Sequence, residues 1–76
     1  MKIAELRAGD ILISRSGIPE TVMILKKIPS DKTQGRYHIV YWFLPTNRKT
    51  TAYSENGEQD LFYLWRIIRD GEELSS

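Results

Sequence analysis

His38 is the single histidine of the chain, and cysteine is absent. A zinc site made of thiolates or of several histidines is therefore excluded within one chain. His38 falls in a run of β-forming residues between Tyr37 and Ile39, where a histidine is more often packed or hydrogen-bonded than catalytic. No spacing of serine and acidic residues around it indicates a hydrolytic triad. We expect no catalytic residues and no enzymatic activity.

Acidic residues gather around one predicted turn. Glu55, Glu58 and Asp60 surround the dipeptide Asn56-Gly57. Their spacing does not match the Asp-x-Asp-x-Asp-Gly pattern of a calcium loop. The five glycines are scattered, so no glycine-rich phosphate loop is indicated either. We therefore expect a solvated turn here, and neither a metal nor a cofactor in the protein.

Basic and aromatic residues lie close together in the middle of the chain. Lys32 and Arg36 bracket one predicted loop, and Arg48 and Lys49 lie in the next. Single-stranded RNA is typically bound by base stacking on aromatic side chains beside a basic rim. The alternative is that the rings belong to the core or to a subunit interface, and that the charges are merely solvated. The aromatic residues concerned are Tyr37, Tyr41 and Trp42.

The net charge of +1 is unevenly distributed along the sequence. Residues 15–49 contain seven Lys and Arg against two acidic residues, a net charge of +5. Residues 50–76 contain two Arg against six acidic residues, a net charge of −4. The basic segment is suited to attracting phosphates, or the two segments are suited to meeting each other between neighbouring subunits.

A small domain must position these residues. The chain has 76 residues, of which 41% are apolar and 28% charged, a composition typical of one folded domain over residues 1–76. The longest apolar run, residues 39–44, is too short to span a membrane. The first residues also lack the apolar segment of a secretory signal. We expect a cytoplasmic protein without a membrane partner.

Turn-forming residues, including those at 16–19, separate five runs rich in β-branched and aromatic residues. A helix over residues 59–69 is the main alternative, but the aromatic content there favours a strand. Residues 2–7 predict a short helical turn. The pattern predicts an all-β fold, a small five-stranded barrel. The predicted strands are Ile11–Ser14 and residues 20–28, 36–44, 49–54 and 61–69.

Several predicted strands are apolar on both faces. In residues 20–28, Val22, Ile24 and Ile28 alternate onto the same face as Lys26. A small barrel has one interior to fill, so the surplus apolar faces predict a homo-oligomer. The alternative is that bent strands switch faces along their length within one molecule. In residues 36–44, one face carries Tyr37, Ile39, Tyr41 and Phe43, and the other carries His38, Val40, Trp42 and Leu44.

Three segments resemble a known family. Residues 3–13, Ile-Ala-Glu-Leu-Arg-Ala-Gly-Asp-Ile-Leu-Ile, are similar to the entry of SH3-like small barrels, where a Leu-x-x-Gly-Asp turn leads into the first strand. Ile68-Arg69-Asp70-Gly71 resembles the Ile-Arg-Gly turn that contacts RNA in Sm and Sm-like proteins, with Asp70 inserted before the glycine. The loop at residues 29–35 lies where those proteins place their other RNA-contacting loop.

The resemblance is closest to the compact Sm-like proteins of phages and marine metagenomes. It implies a five-stranded barrel with a short N-terminal helical turn, whose copies pair edge to edge in a closed ring of about five to seven subunits. It also implies binding of single-stranded RNA through the loop and the basic turn. In that loop Asp31 and Gln34 are only loose counterparts of the family's Asp and Asn. The implied RNA-binding residues are Ser30, Asp31, Lys32, Gln34, Arg36, Tyr37 and Arg69.

Two questions stay open at the level of sequence. If residues 68–71 form the Sm-type turn, the last strand is the short polar segment 72–76; we favour residues 61–69 as the last strand and 49–54 as the fourth. The alternative function is an SH3-like structural or adaptor module, such as a phage component, that binds protein through an aromatic surface.

Overall fold

The computed structural model describes residues 1–17 and 20–75. Ile18 and Pro19, which belong to the predicted turn at residues 16–19, and Ser76 lie outside the described residues. A 3-10 helix, Ile3–Glu5, precedes six strands. These are β1 (Ile11–Ser14), β2 (Thr21–Pro29), β3 (Arg36–Phe43), β4 (Arg48–Asn56), β5 (Trp65–Arg69) and β6 (Glu72–Leu74).

The strands form one antiparallel sheet in the order β4-β3-β2-β1-β5-β6. The all-β prediction is confirmed, but the sheet has six strands rather than the expected five, and it is not closed. Its two edges are therefore β4, which pairs with β3, and β6, which pairs with β5.

The end of the chain differs most from the prediction. Residues 61–64 form a turn, in which the Leu61 carbonyl accepts the N–H groups of Leu64 and Trp65, at 3.2 and 2.9 Å. Asp70 (φ 52°) and Gly71 (φ 80°) both adopt the left-handed conformation that a tight two-residue hairpin requires. This turn leads into β6, so the preference for residues 61–69 as the last strand was wrong.

The predicted helical turn is the 3-10 helix. The Glu5 carboxylate accepts the Lys2 backbone N–H at 2.9 Å and fixes the first turn. The N–H groups of Ile3 and Ala4 donate to carbonyls beyond β4, of Gln59 and Gly57, both at 3.0 Å. No helix within residues 1–17 and 20–75 is long and apolar enough to cross a membrane.

One face of the sheet, the inner face, forms the core. Along β2, Val22 and Ile24 are buried on this face. The pairing with β3 then shifts register between Ile24 and Lys26, which is a β-bulge that reverses the alternation. Lys26 and Ile28 therefore share the opposite, outer face with Met23, so the prediction that they share a face with Val22 is corrected. The buried core residues are Ile3, Leu6, Leu12, Val22, Ile24, Ile39, Leu61 and Ile67.

Because the sheet is open, a groove of about 480 Å³ runs along the inner face. Thr50 and Ala52 of β4 line it, and Leu61 and Trp65 line it as well. The carboxylates of Glu20 and Glu55 also border this largely apolar groove.

The outer face carries an apolar row across four strands. The pairing registers place Ile68, Ile11, Met23 and Trp42 side by side, from β5 through β1 and β2 to β3. All four are half-buried in the single chain. The two-sided apolar pattern of the sequence thus divides between a core and this row, and the homo-oligomer stays a prediction.

Candidate nucleic-acid interface

The predicted RNA-binding loop joins β2 to β3. Its ends are closed by the Ser30 N–H, which donates to the Arg36 carbonyl at 2.8 Å. The Ser30 hydroxyl accepts the N–H groups of Lys32 and Thr33, at 3.3 and 3.2 Å. Ser30 is half-buried, and its hydroxyl is already engaged in these two hydrogen bonds. The side chains of Asp31, Lys32 and Gln34 are exposed.

Arg36 and Tyr37, next to each other in β3, lie on opposite faces. Arg36 is exposed on the outer face, and its guanidinium donates to the Ser54 carbonyl at 2.5 Å. Tyr37 is half-buried on the inner face and packs against the core. The Lys27 ammonium lies 5.1 Å from the centre of its ring. The Tyr37 ring is therefore covered from within the chain.

Arg69 is held in a partly buried ion pair. Its Nε and Nη2 atoms donate to the two carboxylate oxygens of Asp10 at 2.8 and 2.7 Å, and Nη2 also donates to the Glu5 carbonyl at 3.1 Å. Asp10 is 1% exposed and accepts the Arg7 backbone N–H at 2.8 Å. The bidentate pair thus joins β5 to the turn that precedes β1.

The pKa of Asp10 reflects these contacts. Burial alone would raise the pKa of this carboxyl group. The hydrogen bonds from the Arg69 side chain and the Arg7 backbone, together with the two positive charges, outweigh burial and hold the pKa of Asp10 below its ordinary value. Asp10 is therefore an anion at neutral pH. Its carboxylate accepts three hydrogen bonds, two from the Arg69 guanidinium and one from the Arg7 backbone N–H.

The structure thus brings only part of the predicted set together. The exposed loop residues and Arg36 lie at one end of the β2–β3 hairpin. Tyr37 and Arg69 are turned toward the inner face, and Arg69 is separated from β3 by two intervening strands.

The outer face of β2, β3 and β4 carries a different group of basic and aromatic side chains. Trp42 pairs with Lys49 of β4, and Val40 pairs with Lys26 of β2. Arg36 lies at the end of the same face, two residues beyond His38. We call this surface the basic face; it consists of Lys26, Arg36, His38, Trp42, Lys49 and Tyr53.

The aromatic rings of the basic face lie at two positions along β3. At one, Tyr53 is 73% exposed, and its ring meets that of His38 edge to face, with centroids 5.5 Å apart. At the other, the Trp42 indole N–H donates to the Asn47 side-chain oxygen at 3.2 Å, which fixes the ring. His38 and Trp42 are four residues apart along β3, about 13 Å at the rise of a strand. His38 Nδ1 is buried without a hydrogen-bond partner among the described residues.

The charge of the basic face is not neutralised by contacts within the described chain. Glu55 is the single acidic residue of β2, β3 and β4, and its pairing with Tyr37 places it on the inner face. The four ion pairs among residues 1–17 and 20–75 join the N-terminal amine to Asp60, Lys2 to Glu58, Arg66 to Glu73 and Arg69 to Asp10. None of them involves the basic segment, residues 15–49.

An exposed ring and two half-buried rings beside cations without ion pairs in the described chain are suited to stacking bases and contacting phosphates. The sequence had indicated Arg36, Trp42 and Lys49 for such a role, but not Lys26 or Tyr53. Lys26 reaches this face only because of the bulge in β2, and Tyr53 only through the pairing of β4. One signal in the sequence could have indicated this face. The alternate positions of β2, β3 and β4 that form it contain no acidic residue.

Within the described part of the chain, no group of three or more His, Asp or Glu side chains is arranged to hold a metal ion.

The sequence matches no protein-family model, and no similar curated protein or solved structure was found.

Proposed function

We propose that this protein binds single-stranded RNA on the basic face. The observation that carries the proposal is the composition of this face: three cations and three aromatic rings, on strands whose single carboxylate points to the other side. Sheet surfaces of this kind bind RNA by stacking two or three bases while cations contact the backbone.

Each group has a distinct role in the proposed complex. Tyr53, the most exposed ring of the face, stacks on one base, and Trp42 supports a second base at the other position. Lys26 and Lys49 lie on the two strands that flank β3, so they contact phosphates on either side of the bound strand. Lys32 and Arg36 extend the positive surface toward the β2–β3 loop. Tyr37 and Arg69 have structural partners and are not part of this proposed surface.

The proposal is tested by the affinity for a fluorescein-labelled 12-nucleotide oligouridylate, measured by fluorescence anisotropy at 50 mM salt. Stacking on an aromatic side chain contributes about 1 to 3 kcal/mol per base, so Tyr53→Ala is expected to weaken binding by about 5- to 150-fold. Tyr63→Ala is the matched control, because Tyr63 is 82% exposed but lies in the turn before β5.

Binding that is lost equally in both tyrosine variants, or in neither, contradicts the assignment. The affinity for a single-stranded DNA oligonucleotide of the same length is measured in the same way. Equal affinity for it would show recognition of single strands without selection for the ribose 2′-hydroxyl.

We further propose that the fold is a variant of the SH3-like or Sm-like small barrel. The support is the order of the first five strands, in which β1 to β4 pair consecutively and antiparallel and β5 lies beside β1. A further support is the bulge in β2, since a bulge bends the strand that carries it. The added strand β6 and the open side distinguish it from a closed five-stranded barrel.

The apolar row favours a second function, that of an adaptor module. Ile68, Ile11, Met23 and Trp42 form a half-buried apolar strip that a protein partner could cover. This function predicts no RNA binding at low salt. It also predicts that Met23→Lys, at the centre of the row, abolishes co-purification of one defined protein.

A further inference from the structure

β4 is the long free edge of the sheet. Within the described chain it pairs only with β3, from Arg48 to Ala52 and again at Glu55 and Asn56, with a bulge at Tyr53 and Ser54 between the two stretches. A regular edge strand presents unpaired backbone groups to other chains. The other edge, β6, has three residues, and both sides of β5 are already occupied, by β1 and β6.

The backbone groups that face this free edge can be identified. Leu44 donates its N–H to the Thr21 carbonyl at 3.0 Å, so Leu44 and Trp42 direct their backbone groups toward β2. Tyr41 and Phe43 therefore direct theirs toward β4. Their β4 partners are Thr50 and Arg48, which face β3 in return. The backbone N–H and C=O groups of Lys49 and Thr51 accordingly point away from the sheet.

We propose that β4 pairs antiparallel with β4 of a second copy of this chain, around a two-fold axis at Thr51. In this register the two Thr51 residues form a mutual hydrogen-bonded pair, which uses the outward groups on both copies. Opposed residues share a face, because Thr50 then lies opposite Ala52, and Lys49 opposite Tyr53.

Charge complementarity selects this register. Lys49 of each copy lies opposite the exposed Tyr53 ring of the other, an arrangement that suits a cation–π contact. Arg48 lies opposite Ser54 of the other copy, next to Glu55. Arg48 and Glu55 both lie on the inner-face side of β4, and neither is in an ion pair among the described residues. The two-fold axis makes both contacts twice.

The dimer extends the sheet to twelve strands and places two basic faces side by side. The consequence for RNA rests on the proposed function. One RNA strand could then cross β2, β3 and β4 of both copies, which increases the avidity of the dimer for RNA. A ring, by contrast, would pair the long β4 edge of one copy with the three-residue β6 of the next.

The assembly is tested without RNA, so its failure is distinct from failure of RNA binding. Light scattering of the protein at 200 μM should give about twice the 8.9 kDa mass of one chain. Thr51→Pro removes the outward N–H while sparing the bonds to β3, and should give a single-chain mass with unchanged circular dichroism. Thr51→Ser is the matched control and should stay dimeric. A wild-type mass of one chain, or of five to seven chains, overturns the proposal.

A crosslinking experiment keeps the proposal falsifiable should the proline variant fail to fold. The chain contains no cysteine, so a single introduced thiol can bond only to its copy. The Cα atoms of a hydrogen-bonded antiparallel pair are about 5.5 Å apart, within the range of a disulfide. Thr51→Cys should therefore form a crosslinked dimer on mild oxidation. Lys49→Cys should not, because the two Lys49 residues are offset by about 13 Å along the strands. Crosslinking of both variants or of neither overturns the proposal.

Discussion

Breaking the partly buried ion pair between Asp10 and Arg69 should cost a large part of the stability of the fold. Asp10→Asn keeps the size of the side chain but removes the charge that two guanidinium nitrogens contact at 2.8 and 2.7 Å. The Arg69 side chain is 19% exposed, so its charge would remain in a poorly solvated position. Removing one partner of a buried pair costs about 3 to 5 kcal/mol, and the partial exposure of Arg69 places the expected loss at about 3 kcal/mol.

This loss is large for so small a domain. At about 0.05 to 0.15 kcal/mol per residue, a chain of 76 residues has a free energy of unfolding of roughly 4 to 11 kcal/mol. Urea unfolding followed by tryptophan fluorescence measures the change. Glu73→Gln is the matched control, because it removes an ion pair with Arg66 in which both side chains are 46% exposed. Exposed pairs contribute little to stability. A loss of stability in Asp10→Asn no larger than that in the control would show that the pair with Arg69 behaves as an exposed one.

The same pair separates a structural role of Arg69 from RNA binding. Arg69→Gln should lower the urea midpoint, since it removes the cation that Asp10 contacts. The folded fraction of this variant, studied at 4 °C without urea, should bind the oligouridylate as tightly as the wild type. A selective loss of affinity, with stability unchanged, would instead support the prediction from sequence that Arg69 contacts RNA.

Three further results are expected. Gly57→Ala should lower the free energy of unfolding, measured in urea, by about 1 to 3 kcal/mol, because the added Cβ would lie 2.6 Å from Cε2 of Tyr37. Gly17→Ala is the control and should change the free energy of unfolding little, because a Cβ at Gly17 meets nothing within 4 Å. The lowered pKa of Asp10 stabilises the fold above the ordinary value of 3.8. The stability advantage over Asp10→Asn should therefore be constant from pH 5 to 8, and should shrink as the pH falls below 3.8 toward and through the folded-state pKa; an advantage that does not shrink below pH 3.8 contradicts this. Contact of three cations with single-stranded RNA predicts a slope of about −2 for log affinity against log salt, and Lys26→Gln should reduce its magnitude by about 0.7; an unchanged slope would remove Lys26 from the interface.

The sequence was sufficient for the class of the fold and for most of its strands. β-branched and aromatic runs between turn residues predicted β1 to β4 within a few residues. β6 was not predicted as the last strand because two of its three residues are glutamates, and only Leu74 packs against the core. Residues 61–64 were predicted as strand because they are apolar and aromatic. Leu61 is buried as part of a turn, which period-two alternation does not distinguish from a strand.

The site was harder to predict, because it depends on contacts between distant parts of the chain. Arg69 was predicted from its local motif, which gives no sign of its ion pair with Asp10, 59 residues away. Lys26 was placed on the wrong face because a bulge leaves no clear signal in the alternation of one strand. Arg36 was predicted and does lie on the basic face. Its neighbour Tyr37 was predicted with it, although adjacent residues of a strand point to opposite faces.

The two tryptophans provide the most direct test of the proposed interface. Trp42 lies on the basic face, whereas Trp65 packs against the core from the inner face, so their indole N–H signals report on the two faces separately. We would titrate the ¹⁵N-labelled protein with the oligouridylate and follow both signals by NMR. Binding to the basic face predicts a saturable shift of the Trp42 indole together with the amides of Lys49 and Tyr53, while the Trp65 indole stays in place. An unchanged Trp42 signal, with shifts confined to residues 30–35 and to Arg69, would contradict the account.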